Sequence, residues 1–193
     1  LQLGSGWKNV ASWGSLICHP ATPSKHVEGV RFDLKVCELS KTLHKRQIWF
    51  SFLVDAEPAE IHVATPAKPY RTDGLWQTTC FEIFFQRIDG TYIELNFSPS
   101  SQWAAYQFES YREGMAPLDI DPPSILYLTD DGQPYISITV DLPDALNGTL
   151  AVSAIIEETN GTKSYWALRH PPGKPDFHHP DCFALELAAP DLT

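Results

Sequence analysis

Sixteen prolines and eleven glycines are scattered along the 193 residues, and no amphipathic pattern of helical period survives between them. Proline removes a backbone donor and clashes with the preceding turn of a helix, and it is equally unwelcome in a central strand. A chain punctuated this way builds many short strands joined by turns. Runs of strand character are Ser15 to Cys18, Val30 to Val36, Gln47 to Val54, Ile61 to Val63, a hairpin within Leu75 to Phe97, and Trp103 to Phe108. They resume at Ile125 to Leu128, Tyr135 to Leu142, Thr149 to Glu157, Ser164 to Leu168 and Phe183 to Leu187. Ile136, Ile138, Val140 and Leu142 alternate with Ser137, Thr139 and Asp141, the mark of a half-buried sandwich strand. Asp130-Asp131-Gly132 and Asn160-Gly161 signal turns. A short helical turn is expected near Leu39 to Lys45, and an irregular segment over residues 1–14. The hydrophobic fraction of 43% suffices for one core, so residues 1–193 are expected to form a single all-β domain, an antiparallel sandwich.

The hairpin carries the most chemistry. Phe81, Ile83 and Phe85 alternate with Glu82 and Phe84, and Ile93, Leu95 and Phe97 with Tyr92, Glu94 and Asn96. The apolar sets share a face only if opposed residue numbers sum to an even value, which requires an odd loop and excludes a two-residue Asp89-Gly90 turn. Glu82, Glu94 and Asn96 then fall together on the opposite face. That face is either solvated, as antiparallel sheets allow, or a ligand site, since Trp76 and Tyr92 accompany its acceptors. Two carboxyls so placed also raise glycoside hydrolysis, provided Glu82 lies diagonal to Glu94 at roughly 7 to 8 Å between backbone positions.

Acidic residues outnumber basic ones 24 to 14, a formal charge of -10. Such a surface repels nucleic acid and anionic lipid, and neither is expected as a partner. Cys18, Cys37, Cys80 and Cys182 are far apart without a C-x-x-C pair, which argues for free thiols in a reducing, cytoplasmic setting. The sequence begins Leu1-Gln2-Leu3 without an initiator Met, so extracellular or periplasmic residence stays open.

A second informative stretch runs from Trp166 through Arg169-His170-Pro171-Pro172-Gly173-Lys174-Pro175-Asp176-Phe177-His178-His179-Pro180-Asp181. Its prolines stiffen a loop, and hydrogen bonding that closes one end of the sandwich explains its polar groups better than a transition metal, because the adjacent histidines lack ligand spacing. Trp103, Tyr106 and Tyr111 form either a protein-partner patch or part of the core.

These blocks resemble one family. Leu75-Trp76 followed by Glu82-Ile83-Phe84-Phe85, the returning Tyr92-x-Glu94-Leu95-Asn96-Phe97-Ser98-Pro99, and the late Trp166 with Asp176 to Phe183 look like the family 9 carbohydrate-binding modules and their DOMON-type relatives. The resemblance implies an immunoglobulin-like β-sandwich that binds a saccharide without catalysis. It matches Trp76 and Trp166 to the tryptophans that sandwich a sugar ring, and Glu82, Glu94 and Asn96 to the residues that bond its hydroxyls. It also departs from the family in having Glu94 where sugar binders often carry a basic residue. No cofactor is expected. Structural calcium at Asp73 or Asp89, and haem held by Met115 and a histidine, are the two cofactor alternatives the relatives supply. The leading expectation is a non-catalytic module for a saccharide or similar polyhydroxylated molecule. A structural or protein-interaction domain is the alternative.

Overall fold

In the computed structural model, which describes residues 10–40, 45–143 and 148–187, every regular element is a strand or a single 3-10 turn. The strands are β1 (Val10–Cys18), β2 (Gly29–Ser40), β3 (Lys45–Asp55), β4 (Cys80–Arg87), β5 (Tyr92–Phe97) and β6 (Trp103–Phe108). They continue as β7 (Ala116–Pro117), β8 (Ser124–Asp130), β9 (Gln133–Pro143), β10 (Gly148–Glu157), β11 (Lys163–Ala167) and β12 (Leu185–Leu187). All pair antiparallel in one path, β7-β6-β5-β4-β10-β11-β1-β2-β3-β9-β8, with β12 beside the start of β10. The path curls at β1, whose residues 10–16 pair with β2 while Ile17 and Cys18 pair with β11.

Curling brings the two halves of the sheet face to face. Phe50 and Phe52 of β3 meet Phe85 and Phe81 of β4 at ring-centroid distances of 6.2 and 4.8 Å, although β3 and β4 share no hydrogen bonds. The apolar alternations of β2, β3 and β9 on one half, and of β4, β5 and β10 on the other, fill this main core. Burial of so many aromatic and branched side chains is the chief driving force for the fold.

Turn chemistry sets the registers. The β8–β9 hairpin closes on two residues, Asp131 and Gly132, both at positive φ (47° and 82°), as a type I′ turn demands. In the β4–β5 hairpin the last pair is Gln86 with Tyr92, which leaves five residues for the loop, and Glu82 opposes Asn96. Several sequence expectations change. Trp76 is not on a strand: Leu75–Gln77 is a 3-10 turn started by Gly74 at φ 79°, and β4 begins only at Cys80. β1 reaches back to Val10, into the stretch expected to be irregular, and residues 1–9 lie outside the described ones. Ile61 makes a lone bridge to Glu158 rather than a strand. β2 runs through Leu39 to Ser40 and β3 starts at Lys45, so both ends of the expected helical turn are strand, and residues 41–44 lie outside the described ones.

Candidate functional site

The outer face of the β6-β5-β4-β10-β11 half is covered rather than wet. Phe84, Tyr92, Tyr106, Phe108, Ile155 and Ala167 form a second apolar cluster with Leu75 and with Phe177 and Cys182 from the segment between β11 and β12. That segment folds back over the sheet, and beneath it Glu82, Glu94 and Asn96 are 3%, 5% and 0% exposed. The solvated alternative for this face is thereby excluded.

Between sheet and cover lies a cavity of about 310 Å³. Glu82 and Glu94 line it, with Trp76, Tyr106, Phe108 and Tyr165 as aromatic walls and Arg112, Met115, Asp176 and His178 on the covering side. Trp76 remains 40% exposed and stands edge-on to Tyr106 at 6.2 Å, the arrangement of a lip. The volume is at the small end of the usual range for small-molecule sites.

A hydrogen-bonded chain holds the covering side in place. Asp176 accepts from the Tyr111 hydroxyl and from Arg112 Nη2 at 2.7 Å. Burial works against its charge, but these bonds and the guanidinium keep its carboxyl below the usual range. Arg112 sits at φ 58°, a left-handed conformation unfavourable for a long side chain, and its N–H donates to Tyr92 Oη at 3.1 Å. Tyr92 Oη also hydrogen-bonds His178 Nδ1 at 2.9 Å, a pair in which the imidazole tautomer decides the donor. His178 Nε2 lies 3.6 Å from Glu94 Oε2. Burial, helped by Arg112, pushes His178 down to about 4, so the ring is neutral near pH 7.

The two glutamates differ in support. Glu94 Oε1 accepts from Asn96 Nδ2 at 2.8 Å, and burial raises its carboxyl to about 7 against that bond and the charge of Arg112. Glu82 stands between Asn96 on β5 and Ser153 on β10. Asn96 Oδ1 and Ser153 Oγ are buried without a hydrogen-bond partner. Burial first, and the neighbouring Glu94 second, lift Glu82 well above the ordinary range, although the Ser153 dipole opposes the shift. An acceptor-rich floor under an aromatic rim can take the hydroxyls of a polar ligand while the rim covers its C–H surface.

Of the residues singled out in the sequence, Trp76, Glu82 and Glu94 line this cavity, and Asn96 supports it through Glu94. Trp166 does not reach it: opposite Ala154 on β10, it points into the main core at 4% exposure, its Nε1 donating to Ser164 Oγ at 2.8 Å. Side chains alternate across a sheet, so the neighbouring Tyr165 faces the cavity instead. Trp103 and Tyr106 are buried, and Tyr111 is tied to Asp176. Asp73 accepts from the Tyr106 hydroxyl and Asp89 from Thr91. Among the described residues no group of three His, Cys, Asp or Glu is arranged to hold a metal. Met115 and His178 share the cavity, but both ring nitrogens of His178 face protein groups. Sequence reasoning missed Arg112 altogether, since an isolated arginine in a loop carries no pattern. Asp176 and His178 were visible only as a polar loop.

No family model matches the chain, and no curated protein sequence matches it. A solved structure does: that of a "putative carbohydrate-binding protein" from Bacteroides uniformis ATCC 8492, at TM-score 0.58 and 11% identity, over 89% of this chain and 84% of that one. The likeness is one of fold. At that identity it carries the curled antiparallel architecture and leaves the site to be argued from its own geometry.

Proposed function

We propose that the chain is a non-catalytic binding domain for a saccharide or related polyhydroxylated small molecule, built on an immunoglobulin-like β-sandwich of the kind found in family 9 carbohydrate-binding modules. The observation that carries this reading is the cavity, in which Trp76, Tyr106 and Tyr165 surround two buried carboxylates. The similarity in fold to a protein named for carbohydrate binding supports it. In this reading Trp76 and Tyr165 flank the ring, and Glu82, Glu94 and Arg112 take its hydroxyls. Isothermal calorimetry with a panel of monosaccharides and short glycans is expected to give heat, and Trp76→Ala should weaken binding by more than tenfold. Silence across the panel, with no chemical-shift change near Trp76, would remove the proposal.

One arrangement favours a second reading, glycoside hydrolysis. Glu82 and Glu94 occupy diagonal positions on neighbouring strands, and burial lifts Glu82 well above the ordinary range, the direction a general acid requires. Turnover of aryl glycosides by the intact chain, lost in both Glu82→Gln and Glu94→Gln, would put this reading first.

A further inference from the structure

The cavity gathers more carboxyl groups than the chain has cations to pair with them. Glu82, Glu94 and Asp176 line it, against a single guanidinium, Arg112. Arg112 is already committed to Asp176 through the 2.7 Å bond, and it lies 6.0 Å from the Tyr111 ring centroid. His178 adds no charge near neutral pH, because burial holds it down to about 4. Two carboxyls therefore share the floor without a dedicated cation, and a buried charge left unpaired is costly.

The unsatisfied atoms are independent of this count. Glu82 is 3% exposed and faces the cavity beside the Ser153 hydroxyl, which lowers its carboxyl against a larger effect of burial. The residues on either side of it, Asn96 and Ser153, leave Oδ1 and Oγ unpartnered. An amide oxygen only accepts, a carboxylate only accepts, and a hydroxyl does either. Once its carboxyls ionise, this floor offers acceptors and calls for donors and positive charge.

We infer that the ligand carries a protonated amine, as a free amino sugar does, and that its ammonium sits between Glu82 and Glu94 while Trp76 and Tyr165 cover the ring. The inference rests on the saccharide reading and names the class within it. An ammonium brings three donors and one positive charge to a site rich in acceptors. A neutral sugar brings donors without the charge, an N-acetylated sugar has lost the charge, and a uronic acid adds a further carboxylate beside two already present.

Calorimetry on the intact chain distinguishes these classes, with glucosamine and galactosamine as probes beside their neutral parent sugars, their N-acetyl forms and the corresponding uronic acids. The amines should bind at least tenfold more tightly than the parent sugars, and the acids should give no heat. That preference should collapse in Glu82→Gln and in Glu94→Gln, which keep side-chain volume and whose folding is checked by thermal melting. Trp76→Ala should instead weaken amine and neutral sugars alike. Neutral sugars binding as tightly as the amines, or a preference that survives both Gln variants, would overturn the ammonium seat while the saccharide cavity stands. Silence from the whole panel overturns both.

Discussion

At the scale of single residues, the buried carboxyls make stability depend on pH in a direction opposite to that of surface carboxylates. Glu94 titrates at about 7 in the fold against an ordinary 4.5, so between those values the folded chain holds a proton that the unfolded chain has released. Raising pH through that window therefore drains stability, by up to about 3 kcal/mol for Glu94 alone, and Glu82, shifted in the same direction, extends the loss. His178, held at about 4 against 6.5, works the other way and favours the fold as pH climbs to 6.5, and His170 is shifted in the same sense. Below pH 6.5 the two groups of residues oppose each other. Above it the carboxyls remain among the described residues, since Cys80 is pushed above an already high value. The melting temperature should thus fall as pH rises from 6.5 past 7, and the Glu82→Gln/Glu94→Gln double variant should be flat there and more stable at pH 8. A melting temperature that rises across the window in the wild-type chain would refute the buried pair as a source of strain.

At the scale of elements, two tryptophans of similar appearance separate cleanly. Trp76 rides on the turn that Gly74 begins, with its ring partly in solvent, while Trp166 is enclosed between the halves of the sheet. Trp166→Ala should cost about 3 to 5 kcal/mol in denaturant unfolding, as deletion of a buried aromatic does. Trp76→Ala should stay within about 0.5 kcal/mol of the parent, as changes at surface positions do. Equal losses at both positions would contradict the placement of Trp76 at an open rim. The cover depends on Asp176, which gathers Tyr111, Arg112 and the His178 N–H. Asp176→Ala should destabilise by roughly 1 to 3 kcal/mol, the range for a lost buried hydrogen-bonding partner. Amide exchange should accelerate over residues 176–182 while the amides of β4 and β10 keep their protection. Uniform acceleration across the sheet would mean that the cover is not a separate layer.

At the scale of the whole molecule, the chain makes one curled sheet with two apolar faces to bury. The first closes on itself through Phe50, Phe52, Phe81 and Phe85. Among the described residues no strand opposes the second, which is covered by the segment after β11 and leaves the cavity where cover and sheet do not meet. Alternation of side chains is a local property, written in the order of residues. It therefore predicts the strands from β2 to β11 apart from the two-residue β7, the even register of β4 with β5, and the grouping of Glu82, Glu94 and Asn96 on one face. Asp131-Gly132 is legible for the same reason, because a tight turn depends on its own two residues. Whether that polar face meets water or protein depends on a segment some 80 residues further along the chain, and no local period reports it. The same holds for Arg112 reaching Asp176, and for Tyr165 rather than Trp166 facing the cavity. Alternation says that these two neighbours point to opposite sides, and only the curl of the sheet decides which side becomes core and which becomes site.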